Sequence, residues 1–414
     1  MPKSLSAFRL LLLTVTLPAL ALLSPAQLVI GQYEDEAPLR SWNSFGLATA
    51  SSIGRGETML ALADDCSAAL SNPALLAGLP KLTLSFNGGY SRTTLFRYSI
   101  VNTGVLASDK NLGVGLFSLD FGGVSFRLKG WTFALTAALS EIYDRPQVFV
   151  ESTYAGSPYS TLLFDQSGFL RTINLAVARR IGRRIQVGLG LNFARGELER
   201  TVEDDYIQDG ITISHRISQN FSGFFINGGI LVRVTNRLDL AAVFRTAYDK
   251  KAESASSLRY RAPAAGTDIL IDGSSNDLYR QPWAAGLGAN YEVTPRFRLL
   301  GDLIYFPWQK YKATYFGESE SRDFGPAFKL AAGGEYAAPI RIFKKDASLP
   351  IRFGLGYDRQ PMRHPRSAYA LISLGAGLHF RTIRLDFGSQ YGREAGSGRG
   401  LDVVRANLSI IVVL

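Results

Sequence analysis

The sequence predicts an all-β protein, a closed antiparallel transmembrane β-barrel of about fourteen strands with a small helical N-terminal plug. Three observations carry this. From Lys81 onward, apolar residues recur with period two, and the opposite positions are largely Gly, Ala, Asn or Gln. Tight connections alternate with long polar ones. Residues 41–80 break the pattern, being rich in Ala, Gly and Ser with short helix-favouring runs.

The N-terminus sets the compartment. Residues 1–9 carry Lys3 and Arg9 and no acid, residues 10–23 form an apolar run, and Ser24-Pro25-Ala26 resembles a cleavage site. These are the three regions of a secretory signal, expected over residues 1–26. The run is short for a membrane helix, and no later stretch is long and apolar enough for one. With no Cys at the cut, a lipoprotein is not expected. Cys66 has no partner for an intramolecular disulfide and reads as a small packed residue.

Composition agrees with the barrel. The chain has 41 glycines, 18 tyrosines and 25 phenylalanines. A barrel needs small inward residues and aromatic girdles. The formal net charge is +10. Scattered Lys and Arg on an exported chain argue against nucleic acid and for phosphate groups of lipopolysaccharide and lipid head groups.

After a loosely held segment at 27–40, the expected plug contains Asp64-Asp65 and Asn72-Pro73-Ala74. Asn-Pro should stop any helix. Strands are expected near 81–92, 120–128, 130–142, 168–180, 184–198, 218–234, 236–250, 281–292, 296–312, 325–337, 350–358, 368–380, 382–392 and 402–414. In 184–194, Ile185, Val187, Leu189, Leu191 and Phe193 share one face, with Gln186, Gly188, Gly190 and Asn192 opposite. Trp283 and Tyr291 bracket another alternating segment. Eight tilted steps of roughly 3.3 Å span roughly 20 Å, near the apolar band of such barrels. Residues 93–111 read either as a further strand or as part of a folded loop. Residues 338–349 are long for a turn, and Pro307 belongs at a rim, where no ladder bond is lost.

Residues 44–78 resemble the plug signature of the FadL/TodX-type outer-membrane transporters of fatty acids and hydrocarbons. The matching residues are Gly54-Arg55-Gly56, Ala61 to Asp65, Ser67 to Ala69 and Asn72-Pro73-Ala74. NLAVARRIGRRIQVGLGLNF (174–193), WAAGLGANYEVTPRFRLLGDLIY (283–305) and GLGYDRQPM (354–362) resemble the family too. The chain departs at Leu75, where the family has Gly, and in about fifteen extra residues before the signature, which bear on any N-terminal gating role. The resemblance implies a fourteen-stranded plugged barrel. A hydrophobic ligand is caught at the outer loops, held in an apolar pocket, and released sideways beside a kinked strand after the plug rearranges. Lateral exit suits an apolar ligand, which gains nothing in periplasmic water.

Inward positions that break the small-or-polar rule are Phe225, Leu231, Val243, Leu300, Ile304, Phe306 and Leu371. They pack against the plug or line a ligand pocket, and the two readings are compatible. Inward charges are Asp239, Arg245, Arg298, Asp302, Arg352, Arg384 and Asp386. They pair with each other, anchor the plug through Asp64 and Asp65, or meet a ligand carboxylate. Gly122-Gly123 marks either close packing, a turn or a strand irregularity beside a lateral gate. His215, His364 and His379 assemble into no catalytic set, and no metal-ligand spacing or cofactor motif appears. Glu203-Asp204-Asp205 reads as a solvated acidic loop, with a Ca²⁺ site as the alternative.

The expected function is passive, plug-gated uptake of hydrophobic small molecules by an outer-membrane monomer that is not an enzyme. Its expected partners are that ligand, outer-membrane lipids, lipopolysaccharide and the barrel assembly machinery. The alternative is a barrel scaffold or shuttle for protein secretion of the PorV type, and a second rival is a barrel hydrolase.

Overall fold

The computed structural model describes residues 45–94, 101–102, 105–106, 113–154, 156–320, 323–342, 345–364, 366–396 and 400–414. The expected signal peptide (1–26), the segment 27–40 and residues 96–100 lie outside the described residues.

Fourteen antiparallel strands close into one barrel. They are β1 (Leu82–Thr94), β2 (Gly113–Leu128), β3 (Trp131–Ile142, continued by Arg145–Tyr154), β4 (Ser157–Ile181), β5 (Ile185–Tyr206), β6 (Ile211–Arg233) and β7 (Leu238–Arg245, continued by Tyr248–Ala262). Then follow β8 (Thr267–Gln281, continued by Ala284–Thr294), β9 (Phe297–Phe306), β10 (Ala327–Ile342), β11 (Lys345–Arg359), β12 (Ala368–His379), β13 (Ile383–Ala395) and β14 (Asp402–Val413). β1 pairs with β14 from Thr83↔Val413 to Thr93↔Val403, which closes the cylinder. Each expected strand has its counterpart, and no helix among the described residues is long and apolar enough to cross a membrane.

Alternation sets the two faces. Ile185, Leu189 and Phe193 of β5 face outward and exposed, while Gln186 and Asn192 point in and are buried. A ring set marks the outer surface near the loop end: Trp283 lies 5.9 Å from Phe244 and 5.7 Å from Tyr305. Lys129 and Gly130, at φ 49° and 81°, make the two-residue turn between β2 and β3. Positive φ at both positions matches the twist of a tight hairpin.

Three stretches singled out by the sequence take the following forms. Residues 338–349 are not an irregular turn, because β10 and β11 stay paired out to Ile342↔Lys345. Of residues 93–111, Thr93 and Thr94 belong to β1 and residues 101–102 and 105–106 form a separate two-stranded ribbon, while the others lie outside the described residues. Pro307 follows the last residue of β9, at a strand end.

Residues 45–80 fill the lumen. They form α1 (Ala50–Gly54), α2 (Ala68–Ser71) and a 3-10 turn (Pro73–Gly78). Leu60, Leu76 and Ala77 pack with Leu231, Val243, Ile304 and Phe306 of the wall in one buried cluster. Wall glycines give the plug backbone its seat. A Cβ on Gly188 would overlap the backbone of Pro73 and Ala74, and one on Gly354 would overlap Arg55 and Gly56. Small inward residues are thus the surface complement of the plug.

One ladder is incomplete. β2 pairs with β1 along its length, from Leu82↔Phe126 to Thr94↔Gly113. With β3 it pairs only from Phe121↔Ala138 to Leu128↔Trp131. Among the described residues, β3 beyond Ala138 pairs only with β4, with a register shift between Leu139 and Glu141. Among the described residues, 113–120 and 139–142 therefore border a seam. Phe117 and Leu119 beside it, on the outward face, are 85% and 76% exposed, against 67% for Leu374 in a strand paired on both edges.

Candidate functional site

A cavity of about 70 Å³ lies between plug and wall. Gly46, Leu47 and Leu70 of the plug form its floor. Ala138 to Glu141 of β3, Phe225 of β6, Arg245 and Tyr248 of β7 and Trp308 form much of its side. Its β3 wall is the stretch that leaves the β2 ladder, so the cavity adjoins the seam. At about 10–15 Å³ per water-sized position it has room for only a few such positions. A ligand of fatty-acid length needs the floor or the roof to move.

The floor is held by an amide ladder. Asn174 Nδ2 donates to Asn192 Oδ1, and Asn192 Nδ2 donates to Asn227 Oδ1, both at 2.8 Å. Asn227 Nδ2 then donates to the carbonyls of Ala69 and Leu70 at 3.0 and 3.2 Å. These are the otherwise unmet acceptors of a short helix. Three inward Asn on β4, β5 and β6 thereby position Leu70 under the cavity.

Charged and polar contacts fix the rest of the plug. Arg55, fully buried, donates from Nη1 to Glu335 Oε2 at 2.9 Å and from Nη2 to Asp64 Oδ2 at 2.7 Å. Glu335 also takes Arg352 Nε at 2.7 Å, and Arg352 Nη1 reaches Asp386 Oδ1 at 2.5 Å. Glu57 bridges Lys329 and Arg405, the latter at 2.7 Å. Asp302 Oδ2 accepts the backbone N–H of Met59 and Leu60 at 2.6 and 3.0 Å. Ala50 N–H is shared by Asn87 Oδ1 and Ser409 Oγ at 3.1 Å. Each partner of a buried ion pair is costly to leave alone, so the set specifies one plug position.

The Asp pair acts inside the plug rather than on the wall. Asp64 binds Arg55 and accepts Ser51 Oγ at 2.8 Å. Burial would raise its pKa, but the Arg55 guanidinium overrides this and holds the carboxyl well below the usual range. Asp65 caps Ser67 N–H at 2.8 Å, and burial pushes its carboxyl up. Asn72 Oδ1 accepts Ala74 N–H at 3.1 Å while its Nδ2 donates to Leu60 O at 2.7 Å, and Pro73 starts the 3-10 turn. The motif is a bend. The charged contacts with the wall fall to Arg55 and Glu57, to which the sequence assigns no role. Their signal was two long charged residues in a stretch otherwise of small ones.

The inward apolar residues separate. Of the seven, Phe225 lines the cavity, stacked at 4.7 Å on Tyr248. Leu231, Val243, Ile304 and Phe306 pack around the plug. Leu300 is buried outside that cluster. Leu371 lies nearer the loop end, with Tyr369, Leu401 and Val403, because its strand position stands above the plug. Arg245 lines the cavity with its guanidinium 5.7–5.8 Å from the rings of Phe45, Phe225 and Phe306. Arg384 is half-buried and joins no ion pair among the described residues, although Asp386 two positions on does. Asp239 meets Arg233 at 3.1 Å and Arg298 meets Glu335 at 3.7 Å.

Gly122 and Gly123 are regularly paired with Phe86 and Ser85. Gly123 is a close-packing site, where a Cβ would stand 3.1 Å from Cys66 Cβ. The β1–β2 register shift falls nearby, between Asn87 and Gly88, opposite Asp120. Among the described residues no group of His, Cys, Asp and Glu is arranged to hold a metal ion. His379 Nε2 lies 2.9 Å from Asp386 Oδ1, and its register partner Ser348 makes no hydrogen bond to it. His215 meets Ser256 at 2.9 Å and His364 meets Asp323 at 2.9 Å, in separate places. Glu203, Asp204 and Asp205 lie in the extended part of β5 rather than in an irregular loop.

No family model matches the chain. It is 24% identical over 407 residues to Outer membrane protein P1 of Haemophilus influenzae, covering 84% of this chain and 85% of that relative. Among solved structures, it resembles a Pseudomonas aeruginosa FadL homologue with TM-score 0.64 at 14% identity, covering 90% of this chain and 99% of that one. It also resembles the Pseudomonas putida toluene transporter TodX, with TM-score 0.61 at 12% identity over 90% and 99% of the two chains. The Ralstonia pickettii toluene transporter TbuX matches with TM-score 0.60 at 12% identity over 89% and 99%. The fold is that of these outer-membrane transport barrels.

Proposed function

We propose that the protein carries hydrophobic small molecules, long-chain fatty acids or hydrocarbons, inward across the outer membrane by diffusion. The observation that carries this reading is the position of the cavity: plug below, a wall that mixes Leu139, Leu170, Phe225, Tyr248 and Trp308 with Thr172, Asn192, Arg245 and Gln281, and the β2–β3 seam at its side. Leu258, Ile269 and Ile271 lie on the inward-pointing face of the β7–β8 hairpin above it and remain exposed, which suits a first capture surface. From there a ligand passes to the cavity, displaces Leu70 and its neighbours, and leaves through the seam into lipid. Such a route keeps an apolar molecule out of water throughout.

Transport needs no bond chemistry, so the protein acts as a channel rather than an enzyme. Several of the similar structures are named for toluene or monoaromatic hydrocarbons, which supports the hydrocarbon class of ligand. Residues 1–26 then serve as the export signal. The outward belt of Leu, Ile, Phe and Tyr faces acyl chains, and the barrel assembly machinery inserts the chain as a monomer. A secretion scaffold asks for no cavity of this kind.

Binding tests the reading. Detergent-purified protein should bind a tritiated long-chain fatty acid or a monoaromatic hydrocarbon saturably, and Phe225→Trp should weaken that binding. Absence of saturable binding for both classes overturns the reading.

A further inference from the structure

Above the cavity lies a second buried layer. Tyr143, Leu170, Leu198, Phe221 and Ala252 pack together there, with Tyr279 against them. Chain direction fixes its height. β3, β6 and β7 each reach this layer a few residues nearer the loop end than the cavity lining, as in Phe221 against Phe225 and Lys250 against Tyr248. The layer is therefore the roof.

At its centre is a buried cation. Lys250 Nζ donates to Glu141 Oε2 at 2.9 Å and to Tyr143 Oη at 3.1 Å. The rings of Tyr143, Phe221 and Tyr279 surround it at 5.2–5.8 Å. Tyr143 Oη donates to Glu141 Oε2 at 2.5 Å, so one carboxylate oxygen holds both. An ammonium this deeply desolvated is retained only by such partners.

Glu141 has a second context. It is the first residue past the register shift of β3, in the stretch with no ladder to β2. Among the described residues, the 139–142 stretch of β3 is thus laddered on one edge only, to β4. Across the lumen, Lys250 of β7 is its tie. We infer that Lys250 and Glu141 are a positioning pair that closes the roof of the cavity and, through the same atoms, sets the width of the β2–β3 seam.

The inference rests on the proposed transport function. It makes admission and lateral release one event on the wall, distinct from plug movement. A ligand that parts the pair from above frees the β3 end that borders its exit.

The test uses full-length protein in bilayer discs and proteoliposomes. Hydrogen exchange is read at 139–142 and at 50–78, and flux is read with the apolar dye N-phenyl-1-naphthylamine. In Lys250→Met, exchange at 139–142 is expected to rise by about tenfold or more, since an unpaired buried Glu141 opens the strand end. Plug exchange should stay at the wild-type rate and dye flux should increase. Lys250→Arg should restore both, and Lys250→Met/Glu141→Gln should fall between. If Lys250→Met does not assemble, Lys250→Gln takes its place. Unchanged exchange at 139–142, or acceleration spread equally over the plug, overturns the inference. So does accelerated exchange with wild-type flux in a transporting protein. Accelerated exchange with no dye flux even in wild type keeps the latch and removes the transport reading.

Discussion

Arg55 of the plug and Glu335 of β10 meet at 2.9 Å, 280 residues apart in sequence. Both are buried, and each has a second charged partner, Asp64 for Arg55 and Arg352 for Glu335. The contact joins the plug's internal bonding to a charge chain along the wall.

Replacing Arg55 should therefore loosen the plug and spare the barrel. Arg55→Met leaves two carboxylates buried with one cation fewer, a cost of about 3–5 kcal/mol. Limited proteolysis should cut within 50–78 in the variant and not in wild type, while the barrel's heat-modifiable mobility on gels stays unchanged. Equal protection of both proteins would contradict the assignment.

Cys66 reports on the same event. Its Sγ contacts the Thr83 carbonyl at 3.3 Å, and burial pushes the thiol up to about 11. The reactive thiolate is thus scarce at neutral pH. Maleimide should label native protein slowly up to about pH 9, and Arg55→Met should label several-fold faster at pH 7. Fast labelling of the native protein would place Cys66 elsewhere.

Asn227 sets the floor of the cavity. Asn227→Leu removes both bonds to the α2 carbonyls, at about 1–3 kcal/mol. Ligand affinity should fall about tenfold while the melting temperature of the barrel moves little. A barrel-wide loss of stability with unchanged affinity would make the amide ladder purely structural.

Gly188 tests the fit of the wall. Gly188→Val puts side-chain atoms where the Pro73–Ala74 backbone lies. The barrel should assemble with the 3-10 turn unseated, and exchange at 73–78 should accelerate. Unaltered exchange there would mean that the turn has room to spare.

The barrel was largely legible in the sequence because strand period and inside–outside chemistry are local. Ile185, Leu189 and Phe193 against Gln186 and Asn192 are enough to orient β5. The plug position was not legible. Asp64-Asp65 stood out as an acidic pair, yet which cation meets which acid depends on how residues 45–80 sit in the lumen. No local period encodes that. The seam was hidden for a related reason. Gly122-Gly123 was the visible oddity, while the ladder ends one residue earlier, at Phe121↔Ala138, and no residue type announces where pairing stops. Leu371 was correctly inward, but its height along the strand put it in the wrong layer for the cavity.

Apolar molecules are proposed to cross through the cavity and seam. Stopped-flow uptake of a fluorescent long-chain fatty acid into proteoliposomes measures that passage. Wild type is compared with Ser140→Trp/Phe225→Trp, whose indoles would fill the cavity. Saturable, protein-dependent uptake is expected in wild type and its loss in the variant. Uptake equal in the two proteins, or equal to protein-free vesicles, would contradict it.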